Sequence, residues 1–357
     1  MGDKDLHELR QRIDKLDENI LDLLNQRQSL SKEIGQHKNA EGRSLFDPGR
    51  ENEVLARLKA LNTGTLSPEA LEHIYREIIS ASLADQAPIS VGYLGPEATF
   101  SHEAALNQFG HSASLYSQDS LGEVFQGVDR GRFTYGVVPV ENSSQGGVGE
   151  TLDLFLEYDL NVCQEIRLRI SHNLIGQTKD LKKIKRVYSH PQVLSQCARW
   201  LATNLPGVPL LEASSSAAAA RQVAGEKDSA AVASAIAADM NHLHIIVRSL
   251  EDAEQNVTRF LVLSHYSGSR TGRDKTSIIL AVEDKPGALF HLLEPFALSD
   301  LNLTKIESRP MKGEAFKYVF FIDVEGHMDD EPIRRTLETA RKWCQWLKIL
   351  GSYPRVD

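Results

Sequence analysis

Polar residues recur along residues 1–88 at spacings that suit an anion-binding site. Arg27 and Lys38 are eleven residues apart, so on one helix their side chains point within about 20° of each other. Arg10 points about 100° away from Arg27, so if it is functional it acts on another subunit. Ser82 and Gln86 form an i,i+4 pair. Each residue alone is more often a solvated polar position, and only the combination indicates a site.

Four further segments stand beside predicted strands in residues 89–267. A glycine-containing turn that leads into a helix presents N–H groups to an anion. Taken alone, His190 is more often a turn or packing residue, and Thr258 is a β-favouring residue before a strand. The segments are Gly95–Glu103, Pro139–Val148, Ser189–Gln192 and Gln255–Phe260.

Three predicted helices would position the first set of residues. The first runs over about Asp5–His37, the second begins after Asp47-Pro48 and runs toward Leu61, and the third runs from Pro68 to a point before Pro88. The first helix is about 50 Å long, which is too long for the two shorter helices to cover. Its uncovered apolar face predicts that this all-α unit dimerises.

The segments in residues 89–267 belong to a predicted α/β unit. Buried-type strands alternate with helices, which predicts a largely parallel sheet with pocket residues at the strand ends. The strands include Tyr135–Val140, Lys185–Ser189 and Phe260–Ser264, and the helices include Leu121–Asp129, Val193–Asn204 and Ser214–Ala224. The last of these helices is alanine-rich and capped by serine.

After the linker Ser267–Arg273, the pattern predicts the ferredoxin-like order βαββαβ. The predicted strands are Thr276–Val282, Leu303–Glu307, Phe316–Val324 and one near Ile349; the helices begin at Asp284–Gly287 and span Glu331–Trp346. The whole chain is therefore expected to contain three domains, at 1–88, 89–267 and 275–357.

Composition excludes several classes of protein. The 357 residues are 41% hydrophobic and 25% charged, with a net charge of -9, which argues against nucleic acid as a partner. The apolar runs are too short to span a membrane, and the first residues lack a signal-peptide pattern. Three widely spaced cysteines fit reduced thiols, so a cytoplasmic protein without a zinc site is expected.

The motifs of residues 1–88 resemble the all-helical chorismate mutase family. They read L-R-x-x-I-D-x-L-D, N-Q-R, I-G-x-x-K, D-P-x-R-E and S-x-x-x-Q, in that order. The resemblance implies that the substrate is bound by Arg10 of the partner subunit together with Arg27, Lys38, Asp47, Glu51, Ser82 and Gln86, with Arg50 also lining the site.

The reaction of that family is a unimolecular rearrangement of chorismate to prephenate, which needs no metal or cofactor. Arginine forks would hold the dicarboxylate in its compact conformer. Lys38 and the amide of Gln86 would be the catalytic donors to the ether oxygen, where negative charge develops. Because glutamine donates without taking up a proton, the rate is expected to be nearly flat around neutral pH.

The four segments of residues 89–267 together resemble the prephenate dehydratase family, whose hallmark is the T-R-F triplet Thr258–Phe260. The resemblance implies a two-lobed, periplasmic-binding-protein-like α/β fold, with the lobe of about Arg167–Arg248 inserted into the other. Prephenate would lose carbon dioxide and hydroxide to give phenylpyruvate. The departure from the family pattern is small: the first turn reads E-A-T-F where G-T-F is frequent.

In that reading Thr258 donates a hydrogen bond or proton to the leaving hydroxyl, with Arg259 close by and Phe260 in the same triplet. Threonine is a poor acid, so its neighbours would assist it, and the candidates are Asn142, Ser143 and His190.

The third piece resembles the ACT domains of phenylalanine-regulated dehydratases. The motifs are D-K-P-G-A-L-F from Asp284 and E-S-R-P from Glu307. The resemblance implies feedback inhibition by phenylalanine bound between two ACT protomers. The implied effector residues are Gly287, Ala288, Leu289, Glu307, Ser308, Arg309 and Pro310.

The order of the three pieces resembles the bifunctional P-protein family, which implies chorismate mutase, dehydratase and sensor on one chain. Two alternatives remain open. One is dehydration of arogenate, the aminated relative of prephenate, which would give phenylalanine directly. The other is a non-catalytic amino-acid-sensing or solute-binding regulator built from the same modules.

Overall fold

The structure is a computed structural model that describes residues 3–41, 45–144, 146–253, 255–283, 285–311 and 318–356. The chain divides into two compact units. The first comprises Met1–Ile89 with Phe109–Ser114, and the second comprises Ser90–Gln108 with Leu115–Asp357.

The first unit contains three long helices, α1 (Asp3–Ala40), α2 (Pro48–Leu61) and α3 (Pro68–Gln86). The predicted helices are confirmed, because their start signals are local. Asp47 accepts a hydrogen bond from the N–H of Arg50, and Ser67 accepts one from the N–H of Ala70. Residues 5–26 of α1 are all exposed, apolar side chains included, while its later turns contact α3.

The second unit begins with the elements of an α/β fold. In chain order they are β1 (Ser90–Leu94), α4 (Phe100–Phe109), β2 (Ser114–Gln118), α5 (Leu121–Asp129), β3 (Tyr135–Asn142), β4 (Gly146–Gly147), α6 (Gly149–Glu157), β5 (Asn161–Arg169), β6 (Asn173–Gly176), β7 (Arg186–Ser189), α7 (Pro191–Gln196), α8 (Ala198–Asn204), β8 (Leu210–Glu212), α9 (Ser216–Val223), β9 (Ser229–Ala233), α10 (Ala235–Met240), β10 (His244–Val247) and β11 (Val257–Ser264). A 3-10 turn covers Leu181–Lys183.

These strands form two sheets, which makes the fold two-lobed as expected. The first has the order β2-β1-β3-β11-β5, with β4 beside β3, and the second has the order β10-β6-β9-β7-β8. The prediction of a largely parallel sheet is wrong, because β11 runs antiparallel to both β3 and β5 and β6 runs antiparallel to β9. The chain leaves the first sheet after β5, builds the second sheet, and returns along β11.

The remaining elements are β12 (Asp274–Ala281), α11 (Ala288–Leu298), β13 (Leu303–Pro310), β14 (Tyr318–Glu325), α12 (Glu331–Ala340) and β15 (Trp346–Pro354), with a 3-10 turn at Arg341–Trp343. The antiparallel sheet order β13-β14-β12-β15 confirms the ferredoxin-like βαββαβ class. The predicted strand start at Phe316 and the motif residue Asp284 lie outside the described residues.

Two predicted helices differ from the observed ones. Val193–Asn204 is divided at Cys197 into α7 and α8. The final helix stops at Ala340, because Trp346 already belongs to β15. In the part of the chain that is described, no helix combines the length and apolar character needed to cross a membrane.

The two faces of the third sheet have different neighbours. Alternate strand residues such as Ile278 and Ile322 pack against Leu292 and Leu337 of α11 and α12. The opposite face, which includes Phe321, belongs to the hydrophobic core of the first sheet. The third sheet is therefore packed directly behind β11 and its neighbours.

Candidate active sites

The three helices of the first unit enclose a cavity of about 410 Å³, a volume typical of a small-molecule site. Seven of the eight residues predicted for the first site line it: Arg27, Lys38, Asp47, Arg50, Glu51, Ser82 and Gln86. Arg10 does not. It lies about 25 Å from Arg27 along α1, given the rise of a helix, and is exposed.

Hydrogen bonds between α1 and α3 hold one wall of this cavity. The guanidinium of Arg27 donates to the hydroxyl of Ser82 at 2.5 Å. The amide of Gln86 donates to the carbonyl and hydroxyl oxygens of Ser31, at 2.9 and 2.7 Å. The helices approach this closely because residue 35 is glycine, where a Cβ would lie 2.6 Å from Cγ of Gln86.

The opposite wall combines charges of both signs. The ammonium of Lys38 donates to the carbonyl oxygen of Leu45 at 3.1 Å and lies 4.0 Å from the carboxylate of Asp47. The guanidinium of Arg50 pairs with Glu53 at 2.7 Å at the exposed rim. Burial raises the pKa of Glu51 to about 8, an effect that Arg76 opposes and Asp47 reinforces. Glu51 is therefore uncharged at neutral pH and can donate a hydrogen bond.

Sequence reasoning missed three polar residues that line this cavity: Ser31, Arg57 and Tyr75. Arg57 carried a usable signal, because it lies seven residues after Arg50 and so shares its face of α2. Ser31 and Tyr75 carried none that separates them from other polar helix positions.

A second cavity, of about 530 Å³, lies between the two sheets of the α/β fold. Residues from the carboxyl end of β3 and from the start of β11 line it. These two strand ends are adjacent because β3 and β11 run antiparallel. Asn142, His190, Thr258 and Phe260, all predicted for the second site, line it.

Thr258 lies within a hydrogen-bonded group at the base of this cleft. The amide nitrogen of Asn142 donates to the hydroxyl of Thr258 at 2.8 Å and to the side-chain oxygen of Asn256 at 2.9 Å. Because Asn142 donates to its oxygen, the Thr258 hydroxyl can direct its own proton at a ligand. Thr258 is only 8% exposed, so such a bond would form largely out of water.

The first glycine-containing turn also reaches the cleft, with Thr99, Phe100 and Ser101 among its lining residues. Ala98 adopts φ 67°, in the left-handed region that favours glycine, and its N–H donates to Nδ1 of His102 at 3.0 Å. This position is where the E-A-T-F sequence departs from the frequent G-T-F, and the structure accommodates alanine there at a backbone angle that glycine adopts more easily.

Two histidines face the cleft from the second lobe. His190 is the N-cap of α7, and its Nδ1 accepts from the N–H of Gln192. His172, which sequence reasoning missed, is 2% exposed and pairs with the Gln196 side chain at 2.9 Å, while its Nδ1 has no hydrogen-bond partner among the described residues. Burial lowers the pKa of His172, so its imidazole is neutral at neutral pH.

Two predicted residues of the second site do not line the cleft. Ser143 uses its hydroxyl to bridge the backbone of Gln255 and Val257, at 3.0 Å each. Arg259 lies on the opposite face of β11 from Thr258 and Phe260, because successive strand residues alternate in direction. The expectation that Arg259 lies beside the leaving hydroxyl is therefore corrected.

The effector motif on β13 is also divided between two faces. Ser308 and Pro310 are exposed, whereas Glu307 and Arg309 turn toward the first sheet. Arg309 lies 3.4 Å from Asp153, and a Cβ at Gly147 would lie 2.5 Å from the carboxylate of Glu307. The four-residue effector motif stays a prediction, with Ser308 and Pro310 facing solvent and Glu307 and Arg309 facing the first sheet.

The first effector motif forms the start of α11. Gly287 is the N-cap residue, with φ 80°, and Ala288 and Leu289 begin the helix. Leu289 is 38% exposed and Phe290 is 64% exposed. This helix start can therefore receive a carboxylate from solvent.

The fold and the two separate cavities place the chain among multidomain enzymes with two active sites. Family models for Chorismate mutase type II, Prephenate dehydratase and the ACT domain match residues 9–87, 91–267 and 276–341. The chain belongs to the family of bifunctional chorismate mutase/prephenate dehydratases.

Two members of that family illustrate the similarity. The bifunctional chorismate mutase/prephenate dehydratase of Aquifex aeolicus is 45% identical over 99% of this chain and 98% of its own length. The protein of the same name from Pseudomonas aeruginosa is 42% identical over 99% of both chains.

Among solved structures, a prephenate dehydratase from Arthrobacter aurescens in complex with L-Phe superposes with a TM-score of 0.68. It is 31% identical, over 75% of this chain and 90% of that chain. The prephenate dehydratase of Staphylococcus aureus has a TM-score of 0.66 at 29% identity, over 74% of this chain and 100% of that chain.

Proposed function

We propose that this chain catalyses two successive reactions at separate sites, with domains at 1–88, 89–267 and 275–357. The helical cavity rearranges chorismate to prephenate, and the cleft between the sheets converts prephenate to phenylpyruvate. The observation that carries the proposal is the convergence of Asn142 and Thr258 in one buried cleft, while Arg27, Lys38 and Gln86 converge in another cavity. Neither residue set contains a nucleophile activated by a base, which suits a rearrangement and an aromatising elimination.

In the helical cavity, binding and orientation supply most of the catalysis. Arg27 binds one carboxylate of chorismate, held in place by its bond to Ser82. Lys38 stabilises the negative charge that develops on the ether oxygen. Gln86 can join it once its amide exchanges its bonds to Ser31, because the terminal amide torsion is soft.

The raised pKa of Glu51 gives a pH prediction for the mutase. We expect the rate to be nearly flat up to about pH 7 and to fall to about half near pH 8, because Glu51 loses its proton as the pH rises past its pKa of about 8. The resulting carboxylate would repel those of the substrate. The Glu51→Gln variant cannot ionise, so its profile should stay flat to about pH 9.

The measurement is the pH profile of chorismate consumption by the full chain and by the variant. A steep acid optimum, or an alkaline decline that survives in Glu51→Gln, would contradict this role for Glu51.

In the cleft, aromatisation drives the reaction. The electron pair of the bond to the departing carboxylate enters the ring as carbon dioxide leaves, and the ring hydroxyl departs with its own bonding pair. Thr258 donates a hydrogen bond to that oxygen, and Asn142 fixes the direction of the donation. His172 and His190 supply further polar groups on the facing lobe.

Phenylalanine binding belongs to the ACT domain in this proposal. Its carboxylate would meet the start of α11 at Gly287, Ala288 and Leu289, and Ser308 and Pro310 would supply the exposed face of β13. The binding site would be completed by a second ACT protomer. A cytoplasmic location is part of the proposal, and it fits the buried free thiols of Cys163 and Cys197.

A homodimer through α1 is the remaining part of the proposal. Exposed apolar side chains on this helix include Ile13, Leu16 and Leu23, at 56%, 60% and 63%. A partner helix would cover them and would bring its own Arg10 to the cavity, which the Arg10 of the same chain lies too far away to reach. Sedimentation of the full chain as a monomer at micromolar concentration would contradict this arrangement.

The experiment that tests the function supplies the purified full chain with chorismate, prephenate or arogenate in separate reactions. Consumption of the first two with formation of phenylpyruvate is expected. Turnover of arogenate in preference to prephenate would make the second site an arogenate dehydratase. No turnover of any of the three would identify a non-catalytic regulator and overturn the proposal.

A further inference from the structure

Four charged side chains join the third sheet to the back of the dehydratase cleft. They are Glu141 on β3, Arg259 on β11, Lys305 on β13 and Asp323 on β14, and they are called the charge cluster below. Glu141 is paired in register with Arg259, and Lys305 is paired in register with Asp323. Between the two sheets, Arg259 lies opposite Asp323 and Lys305 lies opposite Glu141, so each pair combines opposite charges.

The distances between the two sheets are short. The guanidinium of Arg259 donates to the carboxylate of Asp323 at 2.6 Å, and the ammonium of Lys305 donates to that of Glu141 at 3.0 Å. Arg259 and Asp323 are 10% and 8% exposed, and Lys305 is 12% exposed. The Arg259–Asp323 pair is therefore largely shielded from water, whereas the Lys305–Glu141 pair is partly open to it at Glu141.

Arg259 is held by further buried partners. It donates to Glu165 at 2.8 Å and to the hydroxyl of Tyr353 at 2.8 Å. Burial lowers the pKa of Arg259, but Tyr353, Asp323 and Glu165 outweigh that effect, and the net pKa lies above its ordinary value. Each of the three guanidinium nitrogens thus donates to a protein group, and Arg259 does not line the cleft.

The cluster lies directly behind the catalytic pair. Glu141 immediately precedes Asn142 on β3, and Arg259 immediately follows Thr258 on β11. Asn142 and Thr258 share the 2.8 Å hydrogen bond in the cleft. Successive strand residues point to opposite faces, so β3 and β11 each have one face toward the cleft and the other toward the third sheet. A shift of either strand would move the Thr258 hydroxyl relative to substrate.

We propose that the charge cluster is a positioning device through which the third sheet sets the geometry of the Asn142–Thr258 pair and transmits effector binding to it. This inference rests on the proposed dehydratase function. Lys305 lies about 10 Å along β13 from the exposed Ser308, so a ligand that moves β13 also moves the ion pair to Glu141. Lys305 and Asp323 are positioning residues, since neither touches the cleft.

The test compares Asp323→Asn and Lys305→Gln with the wild-type full chain. Each is expected to lower the kcat for prephenate dehydration about tenfold with KM within about twofold, because a small misplacement of a reacting group is costly. The mutase rate should be unchanged. Inhibition by saturating phenylalanine should weaken at least about threefold in Lys305→Gln, and Lys305→Arg should restore both properties.

The matched control is Thr276→Val. Thr276 is buried in the same third sheet, and its hydroxyl hydrogen-bonds with Gly326 and Ser352 and not with a residue of the charge cluster. A general loss of sheet stability would affect the control equally. Equal kcat and phenylalanine response in the control and in both cluster variants would overturn the inference.

The proposal can still be tested if one of the variants fails to fold. Lys305 pairs with Glu141 and Glu307, which are 41% and 23% exposed, so Lys305→Gln leaves no fully buried carboxylate unpaired and decides the question if Asp323→Asn fails to fold. A wild-type chain without dehydratase activity would overturn the proposed function, and this inference with it. An active wild type with unaffected variants would overturn the inference alone.

Discussion

The Thr258→Ala variant is expected to lose dehydration of prephenate by roughly 10²- to 10⁴-fold, the contribution of a positioned proton donor. The loss should fall mainly on kcat, because the Thr258 hydroxyl assists the departing oxygen as its bond breaks. Mutase activity should be unchanged, since Thr258 belongs to a different compact unit from the helical cavity. The measurement is phenylpyruvate formation from prephenate, with chorismate consumption followed in parallel.

Thr258→Ser is the matched control. It keeps the hydroxyl that accepts from Asn142 at 2.8 Å and removes only a methyl group. Activity near that of the wild type in Thr258→Ser, with loss in Thr258→Ala, assigns the effect to the hydroxyl. Equal activity in Thr258→Ala and the wild type would remove Thr258 from the mechanism.

The reverse result is expected for Arg27→Ala. Removing this guanidinium should lower the mutase rate by roughly 10²- to 10³-fold, the cost of one preorganised charged donor in an enclosed site. Dehydration of supplied prephenate should be unaffected. The assay is the initial rate of chorismate consumption at saturating and limiting substrate, which separates lost binding from lost rate.

Arg27→Lys serves as its control, because it keeps the positive charge but loses the planar fork. A partial loss in Arg27→Lys is expected, since lysine cannot bind a carboxylate and Ser82 together in the arginine geometry. If Arg27→Ala or Thr258→Ala abolishes both activities in folded protein, the two reactions do not have separate sites.

Family membership and the proposed chemistry both bear on the two alternative functions, a non-catalytic regulator and an arogenate dehydratase. A regulator without catalysis would have no need for the Asn142–Thr258 bond inside a cleft that already buries Thr258. Prephenate and arogenate differ only in a keto or amino group, so the choice between them depends on contacts at that end of the substrate. The substrate assay distinguishes them directly.

By itself, the sequence determined the helical unit almost completely. Apolar periodicity is a local signal, and it predicted α1, α2 and α3, with the two ends of α1 two and three residues short of those observed. The same periodicity indicated that Arg27 and Lys38 share a face, and both line the cavity. The βαββαβ order of the third piece was predictable for the same reason, since each element carries its own pattern.

Only the tertiary structure decided which face of each strand belongs to which neighbour. Alternation along β11 and β13 separates Arg259 from Thr258 and Arg309 from Ser308, but the sequence does not say which set meets the cleft or solvent. That choice depends on the packing of the third sheet against the first, which joins residues such as Arg259 and Asp323 that lie 64 positions apart. Pairing between residues so far apart in the sequence has no local signal, because it depends on the burial of both sheets against each other.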